Sequence, residues 1–201
     1  YRYLPVDYLR EKFGDIDNPH EDHLFIAGAL LPDPFIVDAI MELQSGQAIL
    51  CHDMPVAFRG TWADLSDGRW EAKETGRTPD YIRYVFDIFL LNPSQIEYDF
   101  RHMARGRISQ PLSPSNKVIG DFTDSEGRQM LFIEEGASVE GATINLTKGP
   151  VYIGREAEVM EGSCLRGPLA LCNKAKIRMG SKIYGGCTCL LYTSDAADDK
   201  A

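Results

Sequence analysis

The sequence predicts an α/β unit followed by a three-sided prism of short, stacked parallel strands. Three observations carry this. Ile153, Val159, Leu165, Leu171, Ile177 and Ile183 recur at intervals of six without a break. The positions four residues further on, Ala157, Ser163, Leu169, Ala175, Ser181 and Cys187, are small in every case but Leu169. Over the first hundred residues, short apolar runs of strand length are interspersed with apolar residues at helical spacing, the pattern of an α/β domain.

In chain order, residues 24–27 (LFIA) read as a short strand of the buried type. Asp33 follows as an N-cap with Pro34 at the first helical position, and Ile36, Ala39, Ile40 and Leu43 recur at helical spacing. Residues 48–51 (AILC) and 55–58 (PVAF) read as two strands joined by a turn at His52-Asp53. A His-Asp pair can bind metal, but a solvated turn explains it more simply. Residues 60–80 are polar and predict an irregular surface excursion. Residues 81–85 predict a strand leading to a second helix, for which Asn92, Pro93 and Gln95 form a capping signal and Ile96, Phe100 and Met103 an apolar face.

A period of six arises when a chain coils around a triangular prism, with a short strand on each face and a turn at each corner. Three hexads close one coil. Successive coils stack at about 4.8 Å, the spacing of neighbouring strands, so each aliphatic residue lands on the one below. Ile177 then points inward and Arg178 outward. The small fifth slot fits the crowded corner, and Gly154, Gly162, Gly167, Gly180 and Gly185 give backbone freedom at the bends. Ordinary strands of period two also satisfy a spacing of six, but they place no demand on the fifth slot. One earlier coil is visible in Ile133 with Ala137 and Val139 with Thr143, and the register resumes only with two extra residues, placed at Lys148-Gly149-Pro150.

Composition bounds the partners. With 201 residues, 44% hydrophobic and 25% charged, the chain has the balance of one or two soluble globular domains. Its formal charge is -9, and no basic stripe exists to neutralise phosphates, so nucleic acid is not an expected partner. The best apolar run, residues 85–91, is cut by Asp87, so no membrane span is expected. Five cysteines show no CxxC or Cys/His spacing of a zinc site and read as cytosolic thiols.

The segments FDIFLLNPSQIEYDF, GRISQPLSPSNKVIG and GPVYIGREAEVMEGSCLRGPLALCNKAKIRMGSKIYGG resemble the GlmU-like family, in which a sugar-phosphate nucleotidyltransferase domain is joined to a hexapeptide-repeat acyltransferase domain. The resemblance covers residues 1–188. It implies an α/β nucleotidyltransferase-like remnant over residues 1–105, a linker over 106–131, and a truncated left-handed parallel β-helix over 132–188. Residues 189–201 break the hexads and resemble the read-through of a sequencing adapter, so they are expected to be a non-native tail. Tyr1 falls inside an expected helix, and the family places an opening strand and phosphate-cradling loop before such a point, so the chain reads as a fragment.

The resemblance also implies chemistry. Nucleotidyl transfer uses Mg2+ held by carboxylates between a triphosphate and the attacking sugar phosphate, and one ligand is an Asp in a Gly-Asp-x-Pro type of turn. Here the turn reads Gly28-Ala29-Leu30-Leu31-Pro32, and Ala29 has no oxygen to offer. Asp87 and Asn92 are the remaining candidate metal ligands, with helix capping as their competing role. Acyl transfer uses a His base and acetyl-CoA or another acyl-CoA bound between the prisms of a homotrimer. His20, His23, His52 and His102 all precede the hexads, so no catalytic or substrate-binding residue is assigned. Cys164, Cys172 and Cys187 are expected to pack in the core or corners. The function implied is that of a cytoplasmic GlmU-like transferase of sugar-nucleotide or amino-sugar metabolism, acting on a sugar phosphate or nucleotide. The fragment itself is expected to be inactive. A different class of function is a non-catalytic, trimerising scaffold that senses a sugar nucleotide.

Overall fold

Alternating apolar residues build a four-stranded sheet in the first of two units, which divide between Arg83 and Tyr84. The computed structural model describes residues 10–13, 18 and 20–190, so the helix expected around Tyr1 and the tail from residue 191 lie outside the described residues. The first unit runs α1 (Arg10–Phe13), β1 (His23–Ile26), α2 (Pro34–Met41), β2 (Gln47–Cys51), β3 (Met54–Gly60), α3 (Trp62–Ser66) and β4 (Glu71–Ala72). Its sheet order is β1-β3-β2-β4, with β4 parallel to β2 and the other pairs antiparallel. Asp33 caps α2 as expected, its side chain accepting from the Ile36 N–H at 3.0 Å. Ile36, Ile40 and Leu43 pack on Leu30, Ile49, Cys51, Val56 and Ala57. The hairpin turns at His52 and Asp53, whose φ values of 47° and 66° suit a tight two-residue turn.

Two expectations for this unit need correction. The strand at residues 24–27 is an edge strand, and with a neighbour, β3, on one side only it leaves Leu24 and Ile26 exposed. Residues 60–80 are more ordered than their polarity suggested. Thr61 accepts from the Asp64 N–H and donates to its carboxylate at 2.6 Å, a reciprocal cap that starts α3.

The second unit opens with α4 (Asp87–Ala104). The strand expected over residues 81–85 is reduced to one bridge between Tyr81 and Leu30. The helix starts earlier than the Asn92-Pro93 signal placed it, because the Asp87 carboxylate accepts from the Tyr84 N–H at 2.7 Å. Pro93 therefore lies inside the helix. Its buried face is Ile96, Phe100 and Ala104, whereas Met103 is exposed.

The rest of the unit is three sheets of parallel strands visited in rotation. One holds β7 (Ser138–Val139), β10 (Glu158–Val159) and β13 (Lys176–Ile177). The second holds β5 (Lys117–Ile119), β8 (Thr143–Asn145), β11 (Cys164–Arg166) and β14 (Lys182–Ile183). The third holds β6 (Leu131–Ile133), β9 (Val151–Ile153), β12 (Leu169–Leu171) and β15 (Cys187–Cys189). Thus residues 106–131 contribute β5 to the stack. Val159 pairs with Ile177, Leu165 with Ile183 and Ile153 with Leu171, each partner lying three hexads further along the chain. Ile133 and Val139 pair with Ile153 and Val159, which lie three hexads and two positions on, so one coil carries two extra residues. Ile144 aligns with Leu165, which lies three hexads and three positions on. One residue is thus lost before β8, and three are gained at the corner between β8 and β9.

Ile153, Val159, Leu165, Leu171 and Ile177 are all buried and Arg178 is exposed, as the hexad phase requires. Ala157, Ser163 and Ala175 fill the small slot at no more than 1% exposure. In the earlier coil the buried small residue is Ala142 rather than the expected Thr143, a consequence of the lost residue. Leu169 lies on the third sheet, where the preceding equivalents Leu131 and Val151 are also large and the following one is Cys187. Gly162 and Gly180, equivalent positions in successive coils, turn one corner at φ 74° and 70°. At Gly167 a side chain would collide with the Gly149 carbonyl oxygen. Two cysteine expectations are also corrected. Cys164 points outward and is exposed, and the register continues into Cys189, which pairs with Leu171. Among the described residues no helix is long and apolar enough to cross a membrane.

Candidate functional site

In the first unit the turn after β1 places Ala29 where the resemblance puts a carboxylate. The turn is held by a short added segment: Ile82 N–H donates to the Ala29 carbonyl and Leu31 N–H to the Asp80 carbonyl, both at 2.9 Å. Beside it a Cβ at Gly28 would meet nothing within 4 Å, so the turn faces open space. The carboxylate of Asp33, next in line, is engaged on both sides. One oxygen caps α2 and the other pairs with Arg77, whose guanidinium lies 5.1 Å over the Phe35 ring.

Cys51 and His52 form the only Cys-His contact among the described residues, Sγ to Nδ1 at 3.3 Å. The thiol also donates to the Pro79 carbonyl at 3.5 Å. Burial pushes the Cys51 thiol up, with Arg83 pulling it down and Asp80 pushing it further up. A buried thiol held protonated is a poor nucleophile. The pair packs the hairpin end.

Asp87 and Asn92 are not brought together. They stand five residues apart on α4, which turns their side chains about 140° around the axis. Asp87 accepts from the Tyr84 N–H. Asn92 donates to the Gly186 carbonyl at 2.7 Å and accepts from the Thr188 hydroxyl at 2.9 Å. Both ends of that amide clamp α4 to β15 and the turn before it. Among the described residues no group of three His, Cys, Asp or Glu side chains converges to hold a metal. Asp87 and Asn92, each held by its own hydrogen bonds, do not form a joint Mg2+ site among the described residues.

Sequence reasoning missed the buried polar group of the second unit. Arg107 grips Glu134 with two hydrogen bonds of 2.8 and 2.7 Å, and the Tyr152 hydroxyl donates to Glu134 at 2.6 Å. The Arg107 hydrogen bond holds the Glu134 carboxyl below its usual range, against the upward push of burial. Tyr152 is pushed up to about 12, first by burial and then by its bond to Glu134. Neither group exchanges a proton near neutral pH, so the trio acts as a brace. Phe132 and Tyr152, outward residues of β6 and β9, are buried by Phe100 and Ala104 of α4. No local pattern announces these contacts.

A cleft of about 320 Å³ lies in the same unit, between α4, the hairpin at residues 122–130 and the enlarged corner at residues 147–150. Its one advance signal was the pair of extra residues.

The family model for sugar nucleotidyl transferases matches residues 1–108, more than half of the chain. No curated protein and no solved structure matches it.

Proposed function

The chain belongs to the sugar nucleotidyl transferase family, and on that premise we propose that it transfers a nucleotidyl group to a sugar 1-phosphate in a GlmU-like, two-part protein. The family match over residues 1–108 carries the reading. In the reaction a phosphate oxygen of the sugar phosphate attacks the α-phosphorus of a nucleoside triphosphate, and the bond to pyrophosphate breaks. The recurrence of three hexads between paired strands supports the finer assignment of residues 132–188 to a left-handed hexapeptide β-helix. In this reading the β-helix drives trimer assembly in the cytoplasm. Acyl transfer from acyl-CoA belongs to the same reading, and the four histidines given, His20, His23, His52 and His102, all lie outside residues 132–188.

A second reading, a non-catalytic scaffold that senses a sugar nucleotide, is favoured by one observation. Ala29 stands where a metal-holding carboxylate is expected, and the described residues assemble no other such set. One experiment separates the two. The full chain is given UTP and N-acetylglucosamine 1-phosphate with magnesium, and pyrophosphate release and binding of the product UDP-N-acetylglucosamine are both measured. Release supports transfer. Binding without release supports the scaffold, and absence of both sinks the two readings together. Ala29→Asp should tighten magnesium-dependent nucleotide binding, and an unchanged magnesium dependence would show that residue 29 is not the missing ligand.

A further inference from the structure

Large apolar side chains are hidden along the stack and come into the open at one end of it. From Leu131 to Arg178 none is exposed, whereas Met179 is 71% and Tyr184 73% exposed on the coil formed by β13, β14 and β15. At that end α4 projects past the sheet it lies on. Phe100 and Ala104 pack on Phe132 of β6 and Tyr152 of β9, and Asn92 accepts from Thr188 of β15, so the helix runs along the direction of stacking. From Asn92 back to Asp87 it rises about 7.5 Å, more than the spacing of about 4.8 Å between coils. Ile88 and Phe89 stand one turn before Asn92 and Pro93, on the face that meets the sheet, yet they are 58% and 65% exposed. Val85, Phe86 and Leu90, at 84%, 50% and 59%, widen the patch.

The two ends of the stack differ. On the first coil, Gln110 N–H donates to the Ile133 carbonyl at 2.8 Å, Ser109 Oγ accepts from the Ile133 N–H at 2.9 Å, and Asn116 donates to the Val139 carbonyl at 2.7 Å. Residues 109–116 thus close β6 and β7. Beyond β13, β14 and β15 no strand pairs among the described residues. A head-to-tail row of copies is therefore blocked, and contact between like ends remains. Such a contact is isologous, so a projecting patch and a receiving patch on the same end satisfy each other twice across a two-fold axis. Lys174 and Lys176 of that coil are paired with Glu156 and Glu158 at 3.6 and 2.8 Å, which lowers the repulsion between two such ends.

We infer that residues 85–90 form a docking surface for a second copy of this chain, in which each copy's projecting helix start covers Met179 and Tyr184 of the other. Monomers rarely expose contiguous apolar patches of this size. Fully covered, the seven side chains would give up roughly 800 Å² a copy, the area of a standard interface. The surface lies wholly in the second unit. It acts along the stack axis and depends neither on nucleotidyl transfer nor on the lateral trimer.

The test is sedimentation equilibrium of the full chain, with a thermal melt of each variant to confirm a cooperative fold. Both substituted side chains are exposed, so Phe89→Asp and Tyr184→Asp should fold. The wild-type mass should be twice that of either variant, whatever lateral assembly they retain. Ile108→Asp changes an apolar residue that is 93% exposed beyond the other end of α4, and it should keep the wild-type mass. Equal masses for the wild type and Phe89→Asp overturn the inference. So does halving by Ile108→Asp, which marks unspecific apolar contact. A wild-type chain that does not double at about 0.1 mM, where even weak pairs form, shows that something other than a second copy covers this end, and this too overturns it. A doubled wild type with monomeric variants leaves the end contact standing and removes the lateral trimer.

Discussion

In the second unit one apolar cluster runs from Leu131 to Ile177 through successive coils, whereas in the first unit eight residues close a smaller core between α2 and one face of the sheet. Translation makes the residues of the stack equivalent, so each is constrained by the same period and packs on at least one neighbouring coil. The first unit has no such repetition. Its core depends on individual contacts where a helix meets a sheet, and the edge strand β1 leaves Leu24 and Ile26 to solvent. Cohesion by repetition and cohesion by a single junction should fail differently.

The largest expected effect is in the stack. Ile177→Asp buries an unpaired charge between Val159 and the coil interior and should cost about 4 kcal/mol, read by denaturant unfolding, while Arg178→Asp stays within about 0.5 kcal/mol. Equal losses for the two would mean that the inward phase has been assigned wrongly. Next in size, Ile36→Ala should cost about 3 kcal/mol, and hydrogen exchange should accelerate in α2 and β2 but not in β9 or β12. If β12 accelerates equally, the two cores unfold as one. Asp33→Ala removes the α2 cap and should cost about 1 kcal/mol, again confined to the first unit.

The smallest effect is confined to acid. Glu134 is held below its ordinary value of 4.5 in the folded chain. A depressed carboxyl adds stability above its unfolded pKa, and that stability fades as pH falls through the folded one. Glu134→Gln should therefore flatten the acid side of the stability profile of the second unit and leave the first unchanged. A profile of unaltered slope would remove Glu134 from the account.

The same contrast governs what could be read from residues alone. The phase, coil length and two-residue excess of the stack were legible because one period repeats, and each coil checks the last. Asp33-Pro34 and His52-Asp53 were legible because caps and tight turns are written in adjacent residues. The start of α4 was misread because Asn92-Pro93 imitates a cap, while the clamp of Asn92 on Gly186 and Thr188 joins positions 94 and 96 residues apart. The brace of Arg107, Glu134 and Tyr152 joins positions 27 and 18 residues apart and has no local trace. The resemblance supplied a place for a metal ligand, but it could not show that the side chains offered in compensation already had partners.

The enlarged corner between β8 and β9 bears on how this molecule tolerates change in length. A face admits no added residue, because one insertion would exchange inward and outward side chains along its strand. A vertex admits several, since the coil above re-enters its sheet in register after the detour: Ile133 still pairs with Ile153 although their coil is longer than three hexads. Heritable insertions in such a stack are therefore sorted by position, with those at vertices free to accumulate as new surface and those on faces removed. Lys148 stands on ground where novelty costs the scaffold little.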